Sequence, residues 1–249
     1  GYIKRMLIDT YKTQKRGGTG VKGITTNDED FVSTLLTART HDYVLFFSNK
    51  GRVYRTKGYE IPEFSRQSKG IPIINLLSLD KDEVIKSVLV IRYDDEPNKY
   101  LVFITKNGLV KRVDISQFEN IRTNGKIAIL LRENDELVNV LKSDGQSEII
   151  IGSSKGMAVR FNEQDLRVMG RNSSGVKGIN VASSYVIGSI VAKKDEDSQM
   201  LVVSENGYGK KTRVSDYRLS RRGGKGVRTL KLTEKTGNLI SLNAISGDE

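Results

Sequence analysis

Short apolar runs broken by glycine-marked polar turns repeat along the whole chain. YVLFFS (Tyr43–Ser48), EVIKSVLVI (Glu83–Ile91), YLVFIT (Tyr100–Thr105), EIIIG (Glu148–Gly152) and MLVVS (Met200–Ser204) have strand length and are rich in β-branched and aromatic residues. Asn-Gly, Lys-Gly and Asp-Gly pairs bound them, and these predict hairpin turns because glycine accepts a positive φ. No stretch keeps a helical apolar period over the three or more turns that mark an amphipathic helix, so helix is expected to be scarce.

The pattern is periodic on a longer scale as well. Gly1–Lys22 laid over Gly207–Arg228 without a gap gives nine identities, and four further positions exchange Lys and Arg. The same frame recurs between these ends: an apolar run, a turn glycine, a basic strand, then a second glycine-bearing loop. The turn glycines are Gly1, Gly51, Gly108, Gly156 and Gly207, with spacings of 50, 57, 48 and 51. The second loops carry Gly20, Gly70, Gly125, Gly175 and Gly226. Five units of about 50 residues predict an all-β repeat architecture within one domain spanning residues 1–249. Either an open array of similar hairpins or a closed propeller-like ring fits, the ring protecting its strand edges by radial repetition. The chain starts and stops inside a repeat, so it reads as a piece of a longer polypeptide.

Composition narrows the chemistry. The formal charge is +11, from 41 Lys and Arg against 30 Asp and Glu, which favours an anionic partner. Cysteine is absent, which removes disulfides and thiolate metal sites and fits a reducing cytosol. His41 is the only histidine, so neither a His-based triad nor a multi-His metal cluster can form. No apolar run approaches the roughly 20 residues that cross a bilayer. Asp94-Asp95-Glu96 and Asp195-Glu196-Asp197 read as solvated loops, and no metal site is expected. No nucleophile, base and orienting group stand at workable positions, so the chain is not expected to be catalytic.

Two glycine loops carry the strongest chemical signal. QKRGGTGVKG (Gln14–Gly23) contains Gly18-x-Gly20-x-x-Gly23, the spacing of a dinucleotide loop. It lacks the buried strand before and the helix after that such a loop needs, and the related SRRGGKGVRT (Ser220–Thr229) has Thr229 where the third glycine belongs. What remains is a backbone anion site, with N–H groups turned outward and Lys15, Arg16, Arg221, Arg222 and Lys225 beside them. Such groups pair with phosphate oxygens and position a nucleic-acid backbone without reading its sequence. Basic residues after each turn glycine (Lys4, Arg5, Arg52, Arg55, Lys111, Arg112, Arg160, Lys210, Lys211) are expected to extend this into a belt. So are those near the second loops (Lys22, Arg66, Lys69, Arg122, Lys126, Arg171, Lys177, Arg228). Tyr11 and Tyr217 hold equivalent repeat positions, which points to a structural role or a hydroxyl facing DNA.

At these residues the chain resembles the C-terminal, DNA-wrapping domain of DNA gyrase A, part of a type IIA topoisomerase. That family carries a Gln-Arg-Arg-Gly-Gly-Lys-Gly box in its first repeat, and Gln14, Lys15, Arg16, Gly17, Gly18, Thr19 and Gly20 lie in the matching place. The resemblance continues through KGRVYRTKGYEIPEFSRQSKGIP, GRNSSGVKGI and ENGYGKKTRVSDYRLSRRGGKGV. Lys15 keeps the charge of the usual arginine but loses its bidentate fork, and Thr19 removes a cation. The resemblance implies a β-pinwheel of four-stranded blades, often six in the family, with five repeats evident here. It also implies right-handed wrapping of duplex DNA around a basic rim, in support of ATP-dependent negative supercoiling. Strand cleavage, ATP and Mg would belong to other parts of the enzyme, leaving this domain without a cofactor. The implied partners are duplex DNA, the remainder of gyrase A, and gyrase B, with no membrane, in the bacterial cytoplasm at the nucleoid. The isolated domain is expected to be monomeric. Two alternatives are the equivalent domain of a topoisomerase IV and a protein-binding β-propeller with a basic rim.

Overall fold

The computed structural model describes residues 1–7, 19–25, 35–65, 67–94 and 96–245, with 19–25 described by their backbone alone. These fall into two compact units, Gly1–Glu96 with Phe118–Ala128, and Pro97–Gln117 with Ile129–Glu249. The first unit contains β1 (Tyr2–Leu7), β2 (Thr19–Thr25), β3 (Leu35–Ala38), β4 (Tyr43–Ser48), β5 (Arg52–Lys57), β6 (Ile71–Pro72), the single-turn helix α1 (Ile73–Leu76) and β7 (Ile85–Ile91). Next come β8 (Tyr100–Thr105) and β9 (Leu109–Asp114) of the second unit, and then β10 (Lys126–Ile127), which belongs to the first. The second unit is completed by β11 (Leu137–Ser143), β12 (Glu148–Ser153), β13 (Met157–Asn162), β14 (Val176–Lys177), β15 (Val186–Ala192), β16 (Gln199–Ser204), β17 (Gly209–Arg213), β18 (Val227–Arg228) and β19 (Leu239–Ile245).

Four of the five apolar runs become the central strands β4, β8, β12 and β16, each paired with the basic strand that follows its turn glycine, while EVIKSVLVI supplies β7 at the edge beside β4. Gly51, Gly108, Gly156 and Gly207 all have φ between 78° and 92°, the left-handed conformation that these hairpin turns demand. In β4 every residue but Tyr43 is buried, because both sheet faces are covered. Val44 and Phe46 join Ile3, Ala38, Tyr54 and Ile61 in one core cluster. Phe47, on the opposite face, meets Phe118 edge-on at 6.0 Å. In the second unit Val102 and Ile104 pack with Ile149 and Ile151, while Ile150 turns the other way to Met200 and Val202.

Each of the first four sheets takes its fourth strand from the repeat that follows. The orders are β3-β2-β1-β6, β10-β5-β4-β7, β11-β8-β9-β14 and β15-β12-β13-β18. The lent strands are two residues long and come directly after Gly70, Gly125, Gly175 and Gly226, all at positive φ. Among the described residues the fifth sheet has three strands, in the order β17-β16-β19.

The first sheet departs from the expected pattern. Gly20 was expected in a second loop like those of Gly70 and Gly175, yet it lies within β2, paired with both β1 and β3. In the other sheets the slot between the basic strand and the third strand belongs to an apolar central strand. Here β2 occupies that slot and pairs with the backbone groups of β1 that the central strand would otherwise satisfy.

Candidate nucleic-acid interface

The basic strands were expected to present a row of surface cations; the structure buries two of them, leaves five half-buried and exposes two. The third residue after the turn glycine is Lys4, Tyr54, Lys111, Val159 and Lys210 in the successive repeats. Lys111 is fully buried and Lys4 nearly so, which corrects their assignment to a DNA-facing surface. The Lys111 ammonium donates to the carbonyl oxygens of Gly170 (2.9 Å), Arg171 (3.0 Å) and Ser173 (2.9 Å), and reaches the Ser173 hydroxyl at 3.3 Å. The Lys4 ammonium donates to the carbonyls of Ser65 (2.6 Å) and Ser68. In both sheets the lysine lies under the second loop of the next repeat. Burial pushes the Lys111 ammonium down to about 7, with the Arg171 guanidinium adding to the shift.

The fourth residue after the turn glycine is Arg5, Arg55, Arg112, Arg160 and Lys211. Each of these arginines clamps the neighbouring repeat. Arg5 Nε donates to the Ile61 carbonyl (2.9 Å), Arg112 Nε to that of Leu166 (2.8 Å) and the Arg160 guanidinium to that of Tyr217 (2.8 Å), while Arg55 reaches the Glu119 carbonyl. From the other side Arg55 and Arg112 stack over Tyr43 and Tyr100 at 4.2 and 4.7 Å, and Arg160 pairs with Glu148. Arg112 also pairs with the fully buried Glu163 at 3.1 Å. Arg52 donates to the Asn124 carbonyl at 2.6 Å. These bonds tie the repeats together; the Arg112 and Arg160 side chains are largely covered, while Arg5, Arg52 and Arg55 stay half-exposed.

Tyr217 is likewise structural: it is buried, and its hydroxyl meets the Thr212 hydroxyl at 3.1 Å and that of Thr229. Asp197 accepts from Arg213 (3.3 Å) and from the Ser215 N–H (3.3 Å), and among the described residues no cluster of acidic and histidine side chains fits a metal ion. Tyr11, Gln14, Lys15, Arg16, Gly17, Gly18, Arg66 and Asp95 lie outside the described residues, as do the side chains of Thr19 and Lys22.

The second loops do present cations. Lys177, Arg221, Arg222, Lys225 and Arg228 are exposed in the second unit, and Lys69 and Arg122 in the first; Lys126 and Arg171 are half-buried. Lys210 and Lys211 are exposed on β17. Backbone hydrogen bonds stitch the loops of successive repeats together. Gly223 N–H donates to the Gly178 carbonyl (2.7 Å), and Asn180 N–H to that of Gly224 (2.8 Å). Arg222 adds a bond from its guanidinium to the Lys177 carbonyl (3.1 Å). Lys177 and the Ser220–Gly226 loop thereby form one cationic patch of fixed geometry. Arg167 and Arg218, also exposed, were not foreseen; they stand at the same offset from the turn glycines Gly156 and Gly207, which would have marked them.

The family model of the DNA gyrase C-terminal domain, a beta-propeller, matches residues 1–39, 42–92, 99–144, 147–187 and 198–246. The DNA gyrase A proteins of Staphylococcus epidermidis and Staphylococcus aureus are each 51% identical over all 249 residues, and the chain spans 28% of their length. Among solved structures, the C-terminal domain of a DNA topoisomerase IV superposes with a TM-score of 0.81 at 25% identity, over 99% of this chain and 75% of that one. A DNA gyrase A C-terminal domain gives 0.72 at 29% identity, over 100% of this chain and 80% of that one. Five matched segments that follow the five sheets, together with half-identity to gyrase A proteins over its full length, place the chain in the DNA gyrase A C-terminal domain family of beta-propellers.

Proposed function

We propose that this chain binds duplex DNA through its phosphates and bends and wraps it, as the non-catalytic part of a bacterial, cytoplasmic gyrase. The rest of gyrase A, and gyrase B, would be its assembly partners, and cleavage and ATP hydrolysis would be theirs. The observation that carries this reading is the stitched patch of Lys177, Arg221, Arg222, Lys225 and Arg228 on consecutive glycine loops. Smooth bending costs about 1–6 kcal/mol per 20–30 bp, so a wrapping surface needs many contacts at fixed spacing, which hydrogen-bonded loops provide better than mobile side chains on isolated turns.

Nicked circular DNA ligated in the presence of the chain tests it. A positive linking-number shift that grows with protein supports right-handed wrapping, and failure to retard duplex DNA at low salt sinks the proposal. Replacing Arg221, Arg222 and Lys225 with alanine should lower the slope of log affinity against log salt by roughly 0.9 for each phosphate interaction removed. The higher TM-score to a topoisomerase IV domain favours one rival, a domain that binds and bends with little chiral wrap. Retardation without a linking-number shift would select it.

A further inference from the structure

Two buried lysines in separate units do the same thing. Lys4 and Lys111 each stand third after the turn glycine, and each ammonium collects carbonyl oxygens from the inner side of the next repeat's second loop. The loop above Lys4 carries exposed Lys69, and the loop above Lys111 leads directly into exposed Lys177. A carbonyl held against a sheet without a donor is costly, and three converging carbonyls need a donor between them. With the ammonium in place these oxygens point down, and the chain leaving the loop is fixed where β14 pairs with β9. Arg222 then bonds to the Lys177 carbonyl, so the fixed loop is also the footing of the next one.

We infer that Lys4 and Lys111 are positioning residues for DNA phosphate contacts: each is a buried hydrogen-bond donor that gathers one glycine loop so that cations on and beside it, Lys69 in the first unit and Lys177 with Arg222 in the second, hold a fixed spacing. Neither lysine touches the ligand. The inference rests on the DNA-binding reading and deepens it, since it separates lysines that meet phosphate from lysines that hold the meeting surface in shape.

Lys111→Val tests this in the 249-residue chain. Valine is the residue at the equivalent position in the fourth sheet, Val159, so the fold has room for it. Hydrogen exchange should speed up at the amides of Gly170–Gly175. The salt slope of duplex binding should fall by roughly 1.8, the share of two phosphate interactions, against roughly 0.9 for a single direct one. In a Lys177→Ala/Arg222→Ala background, adding Lys111→Val should cause no further change in slope or affinity. Equal losses in both backgrounds, or unchanged binding with faster exchange, would overturn the inference while leaving the DNA reading intact. No retardation of DNA by the unaltered chain would sink both.

Discussion

At the scale of single residues, buried charges rather than surface ones decide how the domain responds to pH. Glu83 is buried beneath the second sheet's hairpin, where it accepts from the Tyr54 hydroxyl (2.8 Å) and the Asp80 N–H (2.9 Å). Burial alone would raise its carboxyl, but hydrogen bonds from Ser48, Asp80 and Tyr54 outweigh it and hold the group below its ordinary range. Its contribution is therefore present above the ordinary carboxylate value and is lost as the pH falls through the lower folded value. Lys111 has the opposite sense. Between about 7 and its ordinary 10.5 the unfolded chain keeps a proton that the folded chain releases, so stability rises with pH across that window. Urea midpoints from pH 3 to pH 10 should show both flanks. Glu83→Gln should flatten the acid one at a cost of about 1.5–3 kcal/mol at neutral pH, the value of hydrogen bonds to a charged acceptor. An acid flank unchanged in that variant would refute the assignment.

At the scale of elements, the loops depend on glycines that carry no chemistry of their own. Gly125 has φ +78°, and a Cβ there would lie 2.7 Å from the Tyr54 ring. Gly125→Ala should cost about 1–2 kcal/mol from the left-handed backbone alone, measured by denaturant unfolding. A neutral result would mean that β10 is dispensable to its sheet. The main strands were plain in the sequence because their apolar runs match strand length and end at turn glycines. The lent strands were not, since so short a pair carries no periodicity and its pairing depends on a sheet begun in the preceding repeat. The inward lysines were missed for a related reason. A lysine on a strand looks solvent-facing in isolation, yet the aligned positions hold Tyr54 and Val159, and that substitution pattern marks a buried site.

At the scale of the whole molecule, what matters is how phosphate contacts distribute along a bound polyanion. The family box at Gln14–Gly20 and the Ser220–Gly226 loop each set two adjacent cations before two adjacent glycines, and they stand in the first and last of the five repeats. Replacing Lys15 and Arg16 with alanine should abolish the linking-number shift while part of the binding survives, because the remaining loops still offer phosphate contacts. Replacing Arg221 and Arg222 should weaken binding more than it changes the sign of the shift. If the Lys15/Arg16 variant wraps DNA as the unaltered chain does, the box is not where wrapping is set. The family and the β architecture were evident from repeats and motif alone; which cations face outward needed three-dimensional pairing.

The lending of strands also has a consequence in time. The second sheet begins at Tyr43 and is closed only by Ile127, so a ribosome must add more than one full repeat before that sheet is whole. While it waits, β5 offers an open edge of hydrogen-bonding groups to any other nascent chain nearby. Glu119, whose carbonyl Arg55 clamps, and the turn at Gly125 arrive with the very segment that closes this edge, so completion of the sheet and closing of that clamp are a single event of synthesis. A repeat lost from the middle of the chain would leave no gap of its own. Its predecessor would take the strand of whichever repeat came next, which gives such a protein an easy way to change its length over evolutionary time.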